Sequence, residues 1–470
     1  MKLFNTLAGK KEEFIPVEPG KVKLYACGPT VYDYIHVGNA RPVIVFDALR
    51  RYMEWRGLDV TFVQNFTDVD DKIIDRANRE GITCDELTER FIAEYYTDAK
   101  GLGVREATVH PKATENIEGI IEAVQTLIDK GFAYQIGGDV YYRTETFPHY
   151  GKLSGQNIEE LQAGARVGVG EEKENPMDFA LWKAAKPGEV SWPSPWGDGR
   201  PGWHIECSVM ANRYLGKTID IHAGGQDLAF PHHENEVAQS EALNGCKFSN
   251  FWMHNGFLSI DSKKMSKSLG NFFTVREAAE AYGYDTIRMF MLMSHYRSPL
   301  NYSGEILMQA RAGLERLYTA VDNLEFLIKN AKVEELSEEE QTLLATLPSY
   351  KDRFIQAMDD DFNTADGIAV IFELVREINT QTGADKTPSK QFAEACLDAL
   401  RELTDVLGLL YAKDASGGDN LDAQVEALIE ARQQARADKN WAEADRIRDE
   451  LKDMGIVLED TPQGIKWKRA

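Results

Sequence analysis

The order of strand and helix patterns constrains this chain most, because the pattern starts, stops and then resumes. Residues 21–27 alternate Val22, Leu24 and Ala26 with polar or exposed positions, as a strand does. After a loop, residues 40–56 carry helical spacing at Val43, Phe46, Leu49 and Met53, with Pro42 in the first turn and Gly57 as a stop. Residues 58–64 read as a second strand and 70–80 as a second helix closed by Gly81. Strand, helix, strand, helix at these lengths implies a parallel sheet. Residues 141–201, rich in Gly, Pro and Trp, break that pattern and read as an irregular insertion. The pattern resumes at 218–223, followed by Gly224-Gly225 and a helix over 231–243.

The remainder is helical. Residues 302–411 read as helices with acidic surface runs such as Glu338-Glu339-Glu340. Residues 412–420, with Gly417-Gly418, read as a linker. Residues 421–454 read as a helical hairpin turning near Asp438-Lys439-Asn440, before a β-like tail over 456–467. The expected divisions are 1–115, 116–200 (the insertion), 201–300, 301–411, the linker 412–420, and 421–470. No run approaches the ~18–20 apolar residues of a membrane span. Five cysteines, at 27, 84, 207, 246 and 396, are too few and scattered for a disulfide framework. Residues 1–6 lack the basic-then-apolar pattern of a secretory signal, so a cytoplasmic location is expected. The net charge of −23 repels nucleic acid unless basic residues gather on one face. Composition alone therefore favours an enzyme with a small substrate.

Two common phosphate cradles are excluded. Gly216-Lys217-Thr218 has Ala211 where a P-loop needs glycine, and Gly168-Val169-Gly170 has no third glycine. His36-Val37-Gly38-Asn39 is placed differently: it follows a strand and opens a helix, where backbone N–H groups and the helix dipole favour phosphate. On its own, this tetrapeptide serves equally as a local helix cap. Lys264-Met265-Ser266-Lys267-Ser268, followed by Gly270, is a cationic loop suited to a triphosphate, because adenylyl transfer needs charge stabilisation on developing oxyanions. Its bland alternative is a solvated surface loop.

Together the two motifs resemble the HIGH and KMSKS signatures of class I aminoacyl-tRNA synthetases. That resemblance implies an α/β fold: a Rossmann-like nucleotide-binding domain split by a connective insertion, followed by a helical bundle and a small C-terminal anticodon-binding domain. It also implies a catalytic set of His36, Asn39, Lys264 and Lys267. Asn39 departs from the motif's final histidine but keeps a hydrogen-bond donor.

A metal site is also legible. His232 and Glu236 are i,i+4 and share a helix face, and Cys27 and Cys207 stand at places where a doubly wound sheet converges its strand ends. Two thiolates, an imidazole and a carboxylate suit zinc. Lone cysteines also serve as small buried hydrophobes, and spacing does not choose between these readings. The segments 27–33, 65–72, 202–207 and 230–236 further resemble cysteinyl-tRNA synthetases, over nearly the whole chain. The resemblance implies one zinc per chain on Cys27, Cys207, His232 and Glu236, where it binds the substrate thiolate. It implies Thr67, Trp203 and His222 around L-cysteine, and His36, Gly38, Asn39, Gly225, Asp227 and Lys267 on ATP, which enters with Mg²⁺. Arg436, Trp441 and Asp445 would read the anticodon of tRNA(Cys), in a monomer. The hairpin's bland alternative is a solvated amphipathic pair, since its acids balance its bases.

Overall fold

The computed structural model describes residues 1–156, 173–260, 263–264, 273–383, 386–412, 421–461 and 464–469. They form two compact units, residues 1–310 with 357–365, and residues 311–356 with 366–470.

The first unit is built on β1 (Lys21–Ala26), α1 (Val37–Trp55), β2 (Asp59–Gln64), α2 (Trp203–Leu215), β3 (Ile219–Gly225), α3 (Glu234–Asn244) and β4 (Ser249–Asn255). All four strands are parallel, in the spatial order β4-β3-β1-β2. Ala26 lies opposite Gln64 on one side and Ala223 on the other. The central strand β3 is buried along all but its last residue, as befits a parallel sheet covered on both faces. The chain runs from β1 to β2 on one side, then returns to place β3 on the other side of β1. That reversal opens a crevice beyond the carboxyl ends of β1 and β3, where doubly wound sheets bind ligands.

The insertion is more regular than its composition predicts. After the helix Ile117–Asp129 it forms an antiparallel sheet of Ala133–Ile136, Asp139–Tyr142, Phe179–Ala184 and Gly199–Pro201. Its two later strands are far from the first pair and from each other in sequence, so no local signal pairs them. Long-range packing holds them instead, with Trp182 against Trp196 at a ring separation of 5.8 Å.

In the second unit, helices Thr364–Gln381 and Lys390–Val406 precede a hairpin of helices Leu421–Ala437 and Trp441–Asp453. Lys439 turns the hairpin at φ 58°, and the Asn440 side chain accepts from the Glu443 N–H to cap the second helix. Val425, Ile429, Ile447, Leu451 and Ile456 form its core. The antiparallel strands Ile456–Thr461 and Gly464–Arg469 close the chain, with Trp467 packed on that core. No helix among the described residues is long and apolar enough to cross a membrane.

Candidate functional site

Cys27 directly follows β1 and continues its ladder, donating its N–H to the Ala223 carbonyl at 3.2 Å. The next residue fixes the strand end. Gly28 N–H donates to Asn65 Oδ1 at 2.9 Å, and a Cβ on Gly28 would lie 1.7 Å from the Asn65 carbonyl oxygen. Only glycine permits this approach of two backbones. Gly28→Ala is expected to cost about 1–3 kcal/mol by overpacking, read as a lowered thermal midpoint together with weakened metal retention.

Cys207 projects from the second turn of α2, His232 from the turn Ala229–His233, and Glu236 from the first turn of α3. The Cys27 and Cys207 sulfurs are 3.7 Å apart, Cys27 Sγ is 3.4 Å from Glu236 Oε1, and His232 Nε2 is 3.0 Å from that same oxygen. All four donor atoms lie within 4.8 Å of one another. A tetrahedral zinc with bonds of about 2.3 Å to sulfur sets an S···S edge of about 3.75 Å. The donors thus fit such an ion by chemistry and by spacing.

Cys27, His222, His233 and Glu236 form a second grouping of the same compactness. It is the poorer one. It holds one thiol where the first set holds two, and its His222 Nε2 lies 2.7 Å from Glu236 Oε2, closer than the 3.0 Å between His232 Nε2 and Glu236 Oε1 in the first set. In the first set His232 Nδ1 is paired with His204 Nδ1 at 2.8 Å, which fixes the ring and aims Nε2 at the cluster. His233 Nδ1 is paired in turn with His254 Nε2 at 2.8 Å, and His254 Nδ1 with Thr6 Oγ1 at 2.8 Å.

The charges follow from burial and pairing. Burial pushes the Glu236 carboxyl upward, but His222 and His232 override it and hold it at about 2. Burial pushes His232 downward, and Glu236 reverses this, raising it to about 10. The hydrogen bond from Cys27 lowers the Cys207 thiol to about 6, against its burial. Burial pushes the Cys27 thiol up and His204, His233 and His254 down. The cluster therefore holds an anionic carboxylate, a protonated His232 and a readily ionised thiol, flanked by neutral His204, His233 and His254, and a cation bound there displaces protons.

Cys27 opens onto a cavity of about 480 Å³ that His36, Gly38, Asn39, Trp203, Gly225 and Asp227 also line. Trp203 is 41% exposed, with its ring 4.4 Å from that of His232. Two predicted substrate residues lie behind the wall. Thr67 is buried and donates to Glu206 Oε2 at 3.1 Å. His222 is buried on Glu236 and stacked on Trp252 at 4.4 Å.

α1 begins at Val37 rather than at residue 40, because His36 caps it. His36 Nδ1 accepts from Asn39 N–H at 3.2 Å, and Asn39 Oδ1 accepts from His36 N–H at 3.4 Å. A helix cap and a cavity lining thus coincide in the same residues. Lys264 pairs through its backbone with Ser259, while Lys267 and the Gly417-Gly418 linker lie outside the described residues. The segment that follows the Lys264–Ser268 motif is fastened beside His36: Val37 N–H donates to Phe273 O at 3.1 Å and Val275 N–H to Ile35 O at 2.9 Å.

On the C-terminal hairpin, Arg436, Trp441 and Asp445 are all exposed, Trp441 at 59%. Asp445 pairs with Arg448 at 3.0 Å.

Comparison with known proteins agrees with this geometry. Residues 13–312 match the family described as "tRNA synthetases class I (C) catalytic domain", 353–411 a "DALR domain", and 418–467 a "Cysteinyl-tRNA ligase anticodon binding domain". A cysteine–tRNA ligase of Clostridioides difficile (strain 630) is 58% identical over 469 residues, covering 100% of both chains. The chain belongs to the cysteine–tRNA ligase family. Its fold is that of class I synthetases. A Mycobacterium tuberculosis methionyl-tRNA synthetase in complex with methionyl-adenylate aligns with a TM-score of 0.60 at 16% identity, covering 82% of this chain and 89% of that one. An Agrobacterium radiobacter K84 LeuRS, in ternary complex with tRNA and LeuAMS, aligns at 0.58 and 12% identity, covering 84% and 85%.

Sequence reasoning missed the histidines that support this family member's cluster, His204, His233 and His254. His204 and Cys207 are three apart on one helix, which was a usable signal. His254 is the penultimate residue of β4 and carried none. Arg41 and the segment Asn255–Leu258, which bear on the cavity wall, also passed unnoticed.

Proposed function

We propose that the cavity is where this chain, a cysteine–tRNA ligase, makes cysteinyl-adenylate from cysteine and ATP before passing the acyl group to tRNA(Cys). The observation that carries this is the buried donor cluster of Cys27, Cys207, His232 and Glu236, whose Cys27 opens onto the cavity that His36, Gly38 and Asn39 also line.

Zinc held by these four residues would supply a thiophilic Lewis acid, which favours a thiolate over an alcohol. His204 and His222 orient His232 and Glu236 through their hydrogen bonds. Thr67 acts from behind the wall, and Trp203 covers the amino acid. ATP, with Mg²⁺, lies with its phosphates at the α1 N-terminus, where helix N–H groups and His36 stabilise negative oxygens. Gly225 and Asp227 take the ribose, while Lys264 and Lys267 neutralise charge as pyrophosphate departs. The cysteine carboxylate attacks the α-phosphate in line. A hydroxyl of the terminal tRNA ribose then attacks the acyl carbon, and AMP leaves. Catalysis is positioning with charge stabilisation, and no side chain becomes a nucleophile.

Exposed Arg436, Trp441 and Asp445 would meet the anticodon, where an aromatic can stack on an unpaired base. This local reading of bases reconciles tRNA binding with the acidic total. The protein would act as a monomer in the cytoplasm, in keeping with five free cysteines. Trp441→Ala should lose about 1–3 kcal/mol of stacking, roughly ten- to hundredfold in kcat/KM for tRNA, with pyrophosphate exchange unchanged. The test of the whole reading is cysteinylation of tRNA with ATP and labelled cysteine. Base-labile label on the tRNA supports it, and absence of label from zinc-replete enzyme with a cognate tRNA refutes it.

A further inference from the structure

Arg41 is fully buried, yet no carboxylate pairs with it among the described residues. Its guanidinium spans four backbone carbonyls instead. Nη1 donates to Gly256 O at 2.8 Å and Phe257 O at 3.1 Å, while Nη2 donates to Ser298 O at 2.7 Å and His295 O at 3.3 Å. Burial holds this guanidinium down at about 10. Burying a cation without a counter-ion is costly, and bulk alone would be met by leucine or methionine. What the charge sustains is the carbonyls it holds.

Those carbonyls belong to the cavity wall. Gly256, Phe257 and Leu258 line the same cavity as His36, Gly38 and Asn39, whereas Arg41 itself does not. The wall has little slack. Gly256 N–H donates to Tyr296 O at 2.8 Å and Leu300 N–H to Phe257 O at 2.9 Å. A Cβ on Gly256 would lie 2.5 Å from Arg297 O and 2.6 Å from Ser298 O. Arg41 stands two residues beyond Asn39 on α1. One side chain thus ties the helix that bears the nucleotide motif to the facing strand end and to the turn at 295–298.

We propose that Arg41 is a positioning residue for adenylate formation, holding the Gly256–Phe257 wall at a fixed spacing from His36 and Asn39 without touching substrate. The inference rests on the nucleotide reading given under the proposed function. Its test is ATP–pyrophosphate exchange by Arg41→Lys and Arg41→Gln, with ATP and cysteine varied separately and Asn39→Ala as reference. Zinc content and thermal midpoint are measured alongside. Arg41→Lys is expected to keep its fold, its zinc and its KM for cysteine, while kcat/KM for ATP falls about 10²-fold, the scale of a 1 Å misplacement. Arg41→Gln falls at least as far. Unchanged ATP kinetics in Arg41→Lys, with Asn39→Ala impaired, overturn the role of Arg41 alone. Unchanged kinetics in Asn39→Ala as well overturn the nucleotide reading and this inference with it. A parallel loss of zinc, cysteine KM and thermal midpoint, or failure of both Arg41 variants to fold, marks a structural role only and overturns the proposal.

Discussion

Cys207→Ser is expected to strip most of the bound zinc and to slow cysteine-dependent pyrophosphate exchange by roughly 10³-fold or more. Serine is nearly isosteric and Cys207 is buried in an early turn of α2, so the fold should survive the exchange. The site should not. A thiol ionises near neutral pH when a neighbour stabilises the thiolate, as Cys27 does here, whereas a hydroxyl stays protonated. Loss of that sulfur also removes one end of the 3.7 Å edge on which the tetrahedral fit rests. The measurement is metal analysis of purified variant and parent, with exchange kinetics on the same samples. Cys396→Ser serves as control, since Cys396 is buried in a helix of the second unit and is not one of the grouped donors. Full zinc in Cys207→Ser would remove Cys207 from the ligand set and leave the His233 grouping to be tested next. The same logic sets selectivity in the parent: cysteine should be preferred over serine by about 10⁴–10⁵ in activation, because a site built for one defined polar partner rejects its isostere strongly.

What could be read before folding was set by how local each signal is. The parallel sheet was legible because β1, α1 and β2 announce themselves by period within forty-odd residues. Cys27 was legible as a candidate donor because it ends a strand, and His232 and Glu236 because they are four apart, whereas Cys207 proves to sit on α2. The resemblance then favoured ligands over buried structural cysteines. Long-range pairing was not legible. The insertion strands Phe179–Ala184 and Gly199–Pro201 are far in sequence from the first pair and from each other, and a contact such as Trp182 against Trp196 leaves no local signal. Arg41 reads in sequence as an ordinary solvated helix residue, because its four carbonyls come from 215 to 257 residues away. Thr67 and His222 were assigned to the substrate by resemblance, and only the fold shows that both are buried, hydrogen-bonded to Glu206 and Glu236. Positions are easier to foresee than the side of a wall a residue faces.

His36 is the residue where the bland and the functional readings both have a physical basis, and variants can separate them. As a cap, its Nδ1 accepts from Asn39 N–H. As a cavity residue, its ring stands at the helix N-terminus where phosphate charge develops. His36→Ala removes both functions. It should cost about 1 kcal/mol of stability through the lost cap and lower kcat for adenylate formation by roughly 10²–10³-fold through the lost donor. His36→Ser restores an N-cap acceptor but no imidazole. Its thermal midpoint should therefore return to that of the parent while exchange remains as slow as in His36→Ala. The zinc content and the KM for cysteine should stay at parental values in both, since His36 is not one of the grouped donors. If serine restores activity together with stability, His36 is a cap and nothing more, and phosphate stabilisation passes to the backbone N–H of Gly38 and to the lysines of the following loop. If serine restores stability alone, the strand-to-helix turn has been made to serve two ends. The imidazole that fixes the start of α1 is then also the group that meets the α-phosphate, and this explains why an asparagine at position 39 suffices, since its amide completes the cap that holds that imidazole in place.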